Sequence, residues 1–330
     1  MKQHHSDIHL HAATPGASAL LRGLLALSLV AAISCTASNS QLVPNKGFGS
    51  QLGGQHVLLG QVYRGPARVT REALFSALEH ARYVVLGETH DNRDHHQRQA
   101  QLVQQFLAAQ PGAAVAFEML DEDDASALSA QTASELEQRV EWANSGWPDF
   151  ALYRPVFDAA FSVQARVVAA HPSAEHVRAS MRGVAEAEAR ELHLDQPLPE
   201  AQIQAQHDEI RESHCGHAPD QMLTAMQRAQ VYKDAFMARA MAQTQVPTVL
   251  IAGRGHARND RAVPYFLKRA GSGATLSIAF IEVVDSREDP STYDTEAFDY
   301  VIFTPRASNE DPCEKFRKQL EQMRQHPSGT

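Results

Sequence analysis

Four short, largely apolar runs punctuate this chain: Tyr83–Leu86, Ala113–Phe117, Ala165–Ala170 and Thr248–Ala252. Each has the length of a strand, does not alternate with polar residues, and stops at a glycine or a polar residue. That is how strands buried on both faces of a parallel sheet read. Gln61–Arg64, Leu276–Val284 and Asp299–Phe303 read as further strands. Helical segments fill the intervals. Thr70 caps Arg71–His80; Asp91 or Asn92 caps a helix whose apolar positions are Leu102, Val103, Phe106 and Leu107. The acidic run Asp121–Asp124 suits a helix start and opens a helical region reaching about Val140. Trp142–Pro155 reads as an aromatic, turn-rich loop leading into a helix over Val156–Ser162. Ser173–Ala242 is helix-compatible almost throughout, divided by Pro197, Pro199 and Gly216–Pro219. The expected fold is α/β, a mostly parallel central sheet flanked by helices, with a helical insert at about 173–245 covering one edge.

The four core strands end in similar chemistry. The first runs into Gly87, Glu88, Thr89 and His90, the second into Glu118, the third into His171, and the fourth into Gly253, Arg254, Gly255 and His256. Ligands of open α/β sheets bind at the carboxyl ends of strands, so parallel neighbours would bring these side chains to one rim. Glu88, His90, Glu118 and His256 form a set suited to holding a divalent metal, or to general acid–base catalysis without one. No HExxH motif or CxxC pair accompanies them. The glycines around Arg254 would let the backbone approach a ligand, leaving Arg254 and Arg258 for carboxylates. Of His95 and His96, one is expected to face solvent and the other to lie near the rim. Tyr153, beside Trp147 and Arg154, is the tyrosine of interest because a phenolate can ligate ferric haem. Ser213–His217 packs His214 and His217 around Cys215 and a turn.

With 43% apolar residues, 330 residues can bury a full core. The first 34 do not belong to it. Gly23–Ile33 is apolar but too short to span a bilayer, follows Lys2 and Arg22, and ends at Ser34–Cys35. This resembles the lipobox of bacterial lipoproteins, with Cys35 the lipidated residue, and Thr36 after it suggests the outer membrane. Residues 35–59 read as a tether, 60–316 as the α/β domain and 317–330 as a charged tail. Losing Lys2, Arg22 and Asp7 with the leader takes the formal charge from −9 to −10, which argues against nucleic acid. In an oxidising envelope Cys215 and Cys313 are free to pair.

Taken together, LGETHDN with the trailing His96 and Gln99, the AFEM strand end, HCGHAP, AGRGHAR followed by Val263–Pro264, and DYVIFTPR followed by DPCE resemble the ChaN-like haem-binding lipoprotein family of the Tiki/TraB group. The resemblance spans roughly Gly60–Phe316. It implies an outer-membrane lipoprotein of haem or iron uptake, a homodimer holding two haems face to face, and a TonB-dependent haem receptor as partner. It implies a tyrosine at the iron and histidine and arginine near the propionates, for which His90, His96, Tyr153, His214, Arg254, His256 and Arg258 are the candidates here. His171 departs from the pattern, where an Asn is expected. The wider group also includes metal-dependent proteases and resembles erythromycin esterase. A divalent-metal hydrolase using Glu88, His90, Glu118 and His256 is therefore the alternative.

Overall fold

The computed structural model describes residues 56–311 together with Cys313, Glu314 and Arg317. The expected leader, Cys35, most of the expected tether and nearly all of the tail lie outside the described residues. Leu58, inside the stretch read as tether, is buried in the core.

Strands β1 (Val62–Arg64), β2 (Ala67–Val69), β3 (Tyr83–Glu88), β4 (Ala114–Asp121), β5 (Arg166–His171), β6 (Thr248–Gly253), β7 (Thr275–Glu282) and β8 (Tyr300–Thr304) form one sheet. Its order is β2-β1-β8-β7-β3-β6-β4-β5. From β8 to β5 every neighbouring pair is parallel. The β1–β2 hairpin adds an antiparallel edge. The four strands with chemical ends are thus contiguous, and β6 slots between β3 and β4. That placement decides which strand ends touch.

Helices cover both faces. On one lie α1 (Arg71–His80), α2 (Arg93–Ala109), α3 (Ala133–Arg139) and α4 (Phe150–Phe161). Their Leu78, Phe106 and Phe157 pack on Val84, Leu86, Phe117 and Ile251. Phe117 and Phe157 stack with ring centroids 4.1 Å apart. Alternate strand residues face the other way, so Val85, Ala116 and Leu250 meet the opposite layer. The chain from α5 (Ala174–Ser180) through α6 (Glu186–Glu191) and α7 (Glu200–Ser213) to α8 (Asp220–Gln243) and α9 (Val263–Arg269) supplies that side. Each fully buried Phe or Leu contributes about 1.5–3 kcal/mol.

Asn92, not Asp91, caps α2: its side-chain oxygen accepts from the backbone N–H groups of Asp94 and His95. Its amide donates to Glu282 and to the Pro305 carbonyl, tying the helix start to the ends of β7 and β8. The acidic run does not open an α-helix. Asp121 and Asp124 make a reciprocal capping box around a 3-10 segment, Glu122–Ser129. The aromatic loop is shorter than its composition suggests, because Asp149 caps α4 and Pro155 sits inside the helix. Tyr153 is therefore helical and inward-facing. The insert lies over the face of the sheet at its β5 edge, since α8 packs chiefly on β5 and also on β4 and β6. A disulfide joins Cys215, just after α7, to Cys313, with a Cα–Cα distance of 5.5 Å and a sequence separation of 98 residues.

Closing so long a loop restricts the unfolded chain, for which loop entropy gives about 4–5 kcal/mol. Urea unfolding with and without reductant should register a loss of that order. An unchanged midpoint would mean that this bond does not constrain the unfolded chain.

Candidate functional site

The ends of β3, β6 and β4 hold one another through an alternating series of carboxylates and imidazoles. Glu118, at the end of β4, faces His256 in the turn after β6, with Oε1 3.1 Å from Nε2. The other ring nitrogen of His256, Nδ1, lies 2.6 Å from Asp234 Oδ1 on α8. Oε2 of Glu118 accepts from the Gly253 N–H at 2.7 Å and lies 3.9 Å from His90 Nε2. His90 Nδ1 donates to Glu88 Oε1 at 3.0 Å. His96 closes the series: Nδ1 is 3.0 Å from Glu88 Oε2, and Nε2 donates to the His90 carbonyl. Three carboxylates and three imidazoles so run Asp234, His256, Glu118, His90, Glu88, His96. His90 alone of the six opens substantially to solvent, its side chain 34% exposed, with Trp147 edge-on to its ring.

The glycines make this closeness possible. A Cβ on Gly253 would lie 2.9 Å from His90 Nε2. One on Gly87 would lie 2.6 Å from the Ala257 Cβ and 2.9 Å from the Arg254 Cα. Gly87 and Gly253 admit protein against protein, whereas a Cβ on Gly255 would have only Glu209 Oε1 near it, at 3.5 Å, and Gly255 borders both neighbouring cavities.

Burial alone would push every carboxyl up and every imidazole down. Here the partners outweigh it. His256 is lifted to about 9 by Glu118 and Asp234. His90 is raised by Glu88 and Glu118, and His96 by Glu88. Glu118 is held well below the usual carboxylate range by His256, and Glu88 is lowered by His96 and His90. Burial lifts Asp234 instead, so Glu118 is the firmer anion beside His256. The network is a set of ion pairs, with both nitrogens of His256 facing carboxylates.

The four residues read as metal ligands or catalytic groups, Glu88, His90, Glu118 and His256, therefore do meet. Their donor atoms, however, are turned on one another. Among the described residues no group of three or more His, Cys, Asp or Glu is arranged to hold a metal ion. His171 does not join them. It ends the edge strand β5, and its Nδ1 lies 2.7 Å from the Pro172 carbonyl. His95 and His96 are both buried. His95 accepts from the Thr89 N–H and reaches Thr304, and burial pulls its pKa down to about 3. Tyr153 is fully buried and donates to Glu88 at 3.1 Å. Burial and Glu88 raise its pKa, and its hydroxyl is engaged with Glu88. Asp234 was not legible beforehand, for it sits in mid-helix among apolar residues; its spacing from Gln230, whose amide lies over His256, was the available signal.

Beside the network lies a cleft of about 1240 Å³. Arg254, Arg258, Arg261, Arg287 and Arg306 line it together with the carboxylates Asp208, Glu209, Glu212, Glu282, Asp294 and Asp311, and Ile281, Val283, Val284, Tyr293 and Phe298 form its apolar part. Arg254 is exposed and has no hydrogen bond or ion pair among the described residues. Arg258 is not free, being paired with Asp260 and Asp294. His214 lies apart, its ring on the Ile210 carbonyl at the end of α7.

A family model described as haem-binding uptake, Tiki superfamily, ChaN matches residues 74–267. The chain belongs to the ChaN family. Among solved structures, the ChaN of Campylobacter jejuni, reported as binding haem cofacially, is 19% identical with a TM-score of 0.60. That likeness covers 73% of this chain and 95% of that one, and it establishes the shared α/β fold. An erythromycin esterase variant in its open conformation is 13% identical at a TM-score of 0.43, over 74% of this chain and 95% of that one. A search of the curated proteins finds no match.

The network has a pH signature. His256, raised from 6.5 to about 9, contributes stability that is complete below 6.5 and lost as pH rises through 9. Glu118 and Glu88, lowered, contribute stability that is complete above the ordinary carboxylate range and lost as pH falls through their folded values. Replacing His256 by Gln should flatten the decline of unfolding free energy between pH 7 and 8.5, by up to about 1.4 kcal/mol per pH unit. Urea denaturation across that range measures it; an unaltered slope would exclude His256 as the proton that folding retains.

Proposed function

We propose that this protein binds haem in the arginine-lined cleft and handles it in haem or iron uptake at the cell envelope, anchored through Cys35. The carrying observation is Arg254, a guanidinium without a partner among the described residues, in a cleft of mixed charge that also holds an apolar patch of Ile281, Val283, Val284 and Phe298. A flat apolar ring system with two carboxylates requires that combination: desolvated surface for the ring and cations for the acids. Membership of a haem-binding family supports the reading.

The ion-pair network then has a positioning task. Gly253 is held through its N–H by Glu118, and His256 through its ring by Glu118 and Asp234. Arg254 lies between these two anchors, so its backbone is fixed while its side chain stays free to meet an acid. Pre-ordering of this kind reduces the entropy lost on binding. Arg306, exposed at the end of β8, faces the same cleft and is the second cation for a dicarboxylate. Tyr293 borders the cleft too, its hydroxyl accepting from the Val284 N–H and donating to the Arg287 carbonyl. In this reading lipidation of Cys35 places the domain at the outer membrane. The face-to-face haem arrangement implied by the resemblance would pair two copies.

Haemin titration followed by absorbance tests the reading. Saturable binding is expected, weakened about tenfold or more by Arg254→Ala, the loss of one charge-assisted contact. Tyr153→Phe should leave the haem spectrum unchanged, because its hydroxyl is buried against Glu88. Absence of saturable binding, or full affinity in Arg254→Ala, would remove the cleft from consideration. Sizing the chain with and without haemin reads the pairing. For the anchor, Cys35→Ala should release the protein from membranes.

A further inference from the structure

A second cavity, of about 370 Å³, lies on the other side of the His256 turn, roofed by the helical insert. Its wall is apolar where Val177 of α5, Met181 just after it, Ile210 of α7 and Met226 of α8 meet. Lys233 on α8, half-buried, lines it with no hydrogen bond or ion pair among the described residues, beside the neutral polar side chains of Gln206, Ser213 and Gln230 and the ring of His214. Nothing in the haem reading uses this space. Glu209 and Arg261 border both cavities, and their 2.8 Å ion pair stands between them.

Charge decides what the cavity accepts. Lys233 is near enough for its field to lower Glu118 and to act on Asp234 and His171. The six-membered network beside it alternates three carboxylates with three imidazoles and, with each in its paired form, is close to neutral. Glu209 is matched by Arg261. Lys233 is thus an excess positive charge in the wall of a chamber that also presents apolar side chains. Such a cation, left partly desolvated, is completed most economically by a ligand that carries one anionic head and an otherwise apolar body. The volume lies at the small end for ligand sites, which limits that body to a short chain or one ring.

We propose that the cavity between α5, α7, α8 and the Gly255 turn is a separate binding site for a medium-chain carboxylate, its acid on Lys233 and its chain against Met181, Ile210 and Met226. The side chains differ in kind from those of the arginine cleft. There several guanidiniums line the larger space, whereas here the cation without an ion pair is a single ammonium, Arg261 being held by Glu209. The two sites share a wall but no anchoring group.

Calorimetric titration of the purified chain with octanoate, and with octanol as the uncharged control, tests this. Octanoate should bind saturably at one per chain and octanol much more weakly. Lys233→Met should weaken octanoate at least tenfold and leave octanol unaffected, while Lys233→Arg retains most of the affinity. Met226→Trp, which fills the chamber without touching the charge, should block both. Haemin titration of Lys233→Met should match that of the parent, which separates this site from the haem cleft. Absence of saturable octanoate binding, equal affinity in Lys233→Met, or competition between octanoate and haemin would overturn the proposal. The last outcome would mean that one site accounts for both.

Discussion

The contact between Glu118 and His256 is the one on which the rest of this rim depends. A carboxylate 4% exposed at the end of a buried strand is costly unless its oxygens are satisfied. Glu118 satisfies them with a ring nitrogen and a backbone N–H from the neighbouring strand's exit, so β4 and the turn after β6 lock together. From there the pairing passes in one direction to Asp234 and α8, and in the other through His90 and Glu88 to His96 and α2. The series therefore ties helices on opposite faces of the sheet to the same three strand ends. Removing Glu118 would leave His256 with Asp234 alone and the Gly253 N–H without its acceptor.

The locked turn has consequences on both sides. On one it presents Arg254 to a cleft whose other arginines come from the segment after β6 and from the β7 and β8 ends. On the other, Gly255 and Arg261 border the chamber that Lys233 lines. The disulfide at Cys215 fixes the end of α7, the helix whose Glu209 borders both spaces. A rigid scaffold beneath and a loop-borne, charged surface above is the usual division of labour in α/β proteins.

Much of the rim was legible because it is carried by local pattern. An apolar run followed by Gly87–Glu88–Thr89–His90 announces a strand and its polar end without reference to anything distant. Glu118 and His256 were found in the same way. Asp234 escaped because a lone acid in a long helix reads as solvated surface, and its burial exists only once α8 lies across β4 and β6. Tyr153 was misplaced for a related reason: Pro155 reads as a break, whereas the Asp149 cap and the packing of Phe150 and Phe157 carry the helix through it. His171 has the same local signature as its counterparts, yet it ends an edge strand and bonds to its own neighbour.

The sequence by itself determined the strands, the class of fold, the family and the residue types at the strand ends, since periodicity, glycine placement and ordered motifs are properties of neighbours in the chain. Only the tertiary structure decided that β6 lies between β3 and β4. Strand order depends on the crossover connections and on which helix faces can be buried together, and neither is written in any short stretch. That order set Glu88, His90, Glu118 and His256 side by side in a chain of ion pairs, because it brought each imidazole within reach of a carboxylate from another strand or helix. It also left Arg254 and Lys233 as cations on opposite sides of one turn.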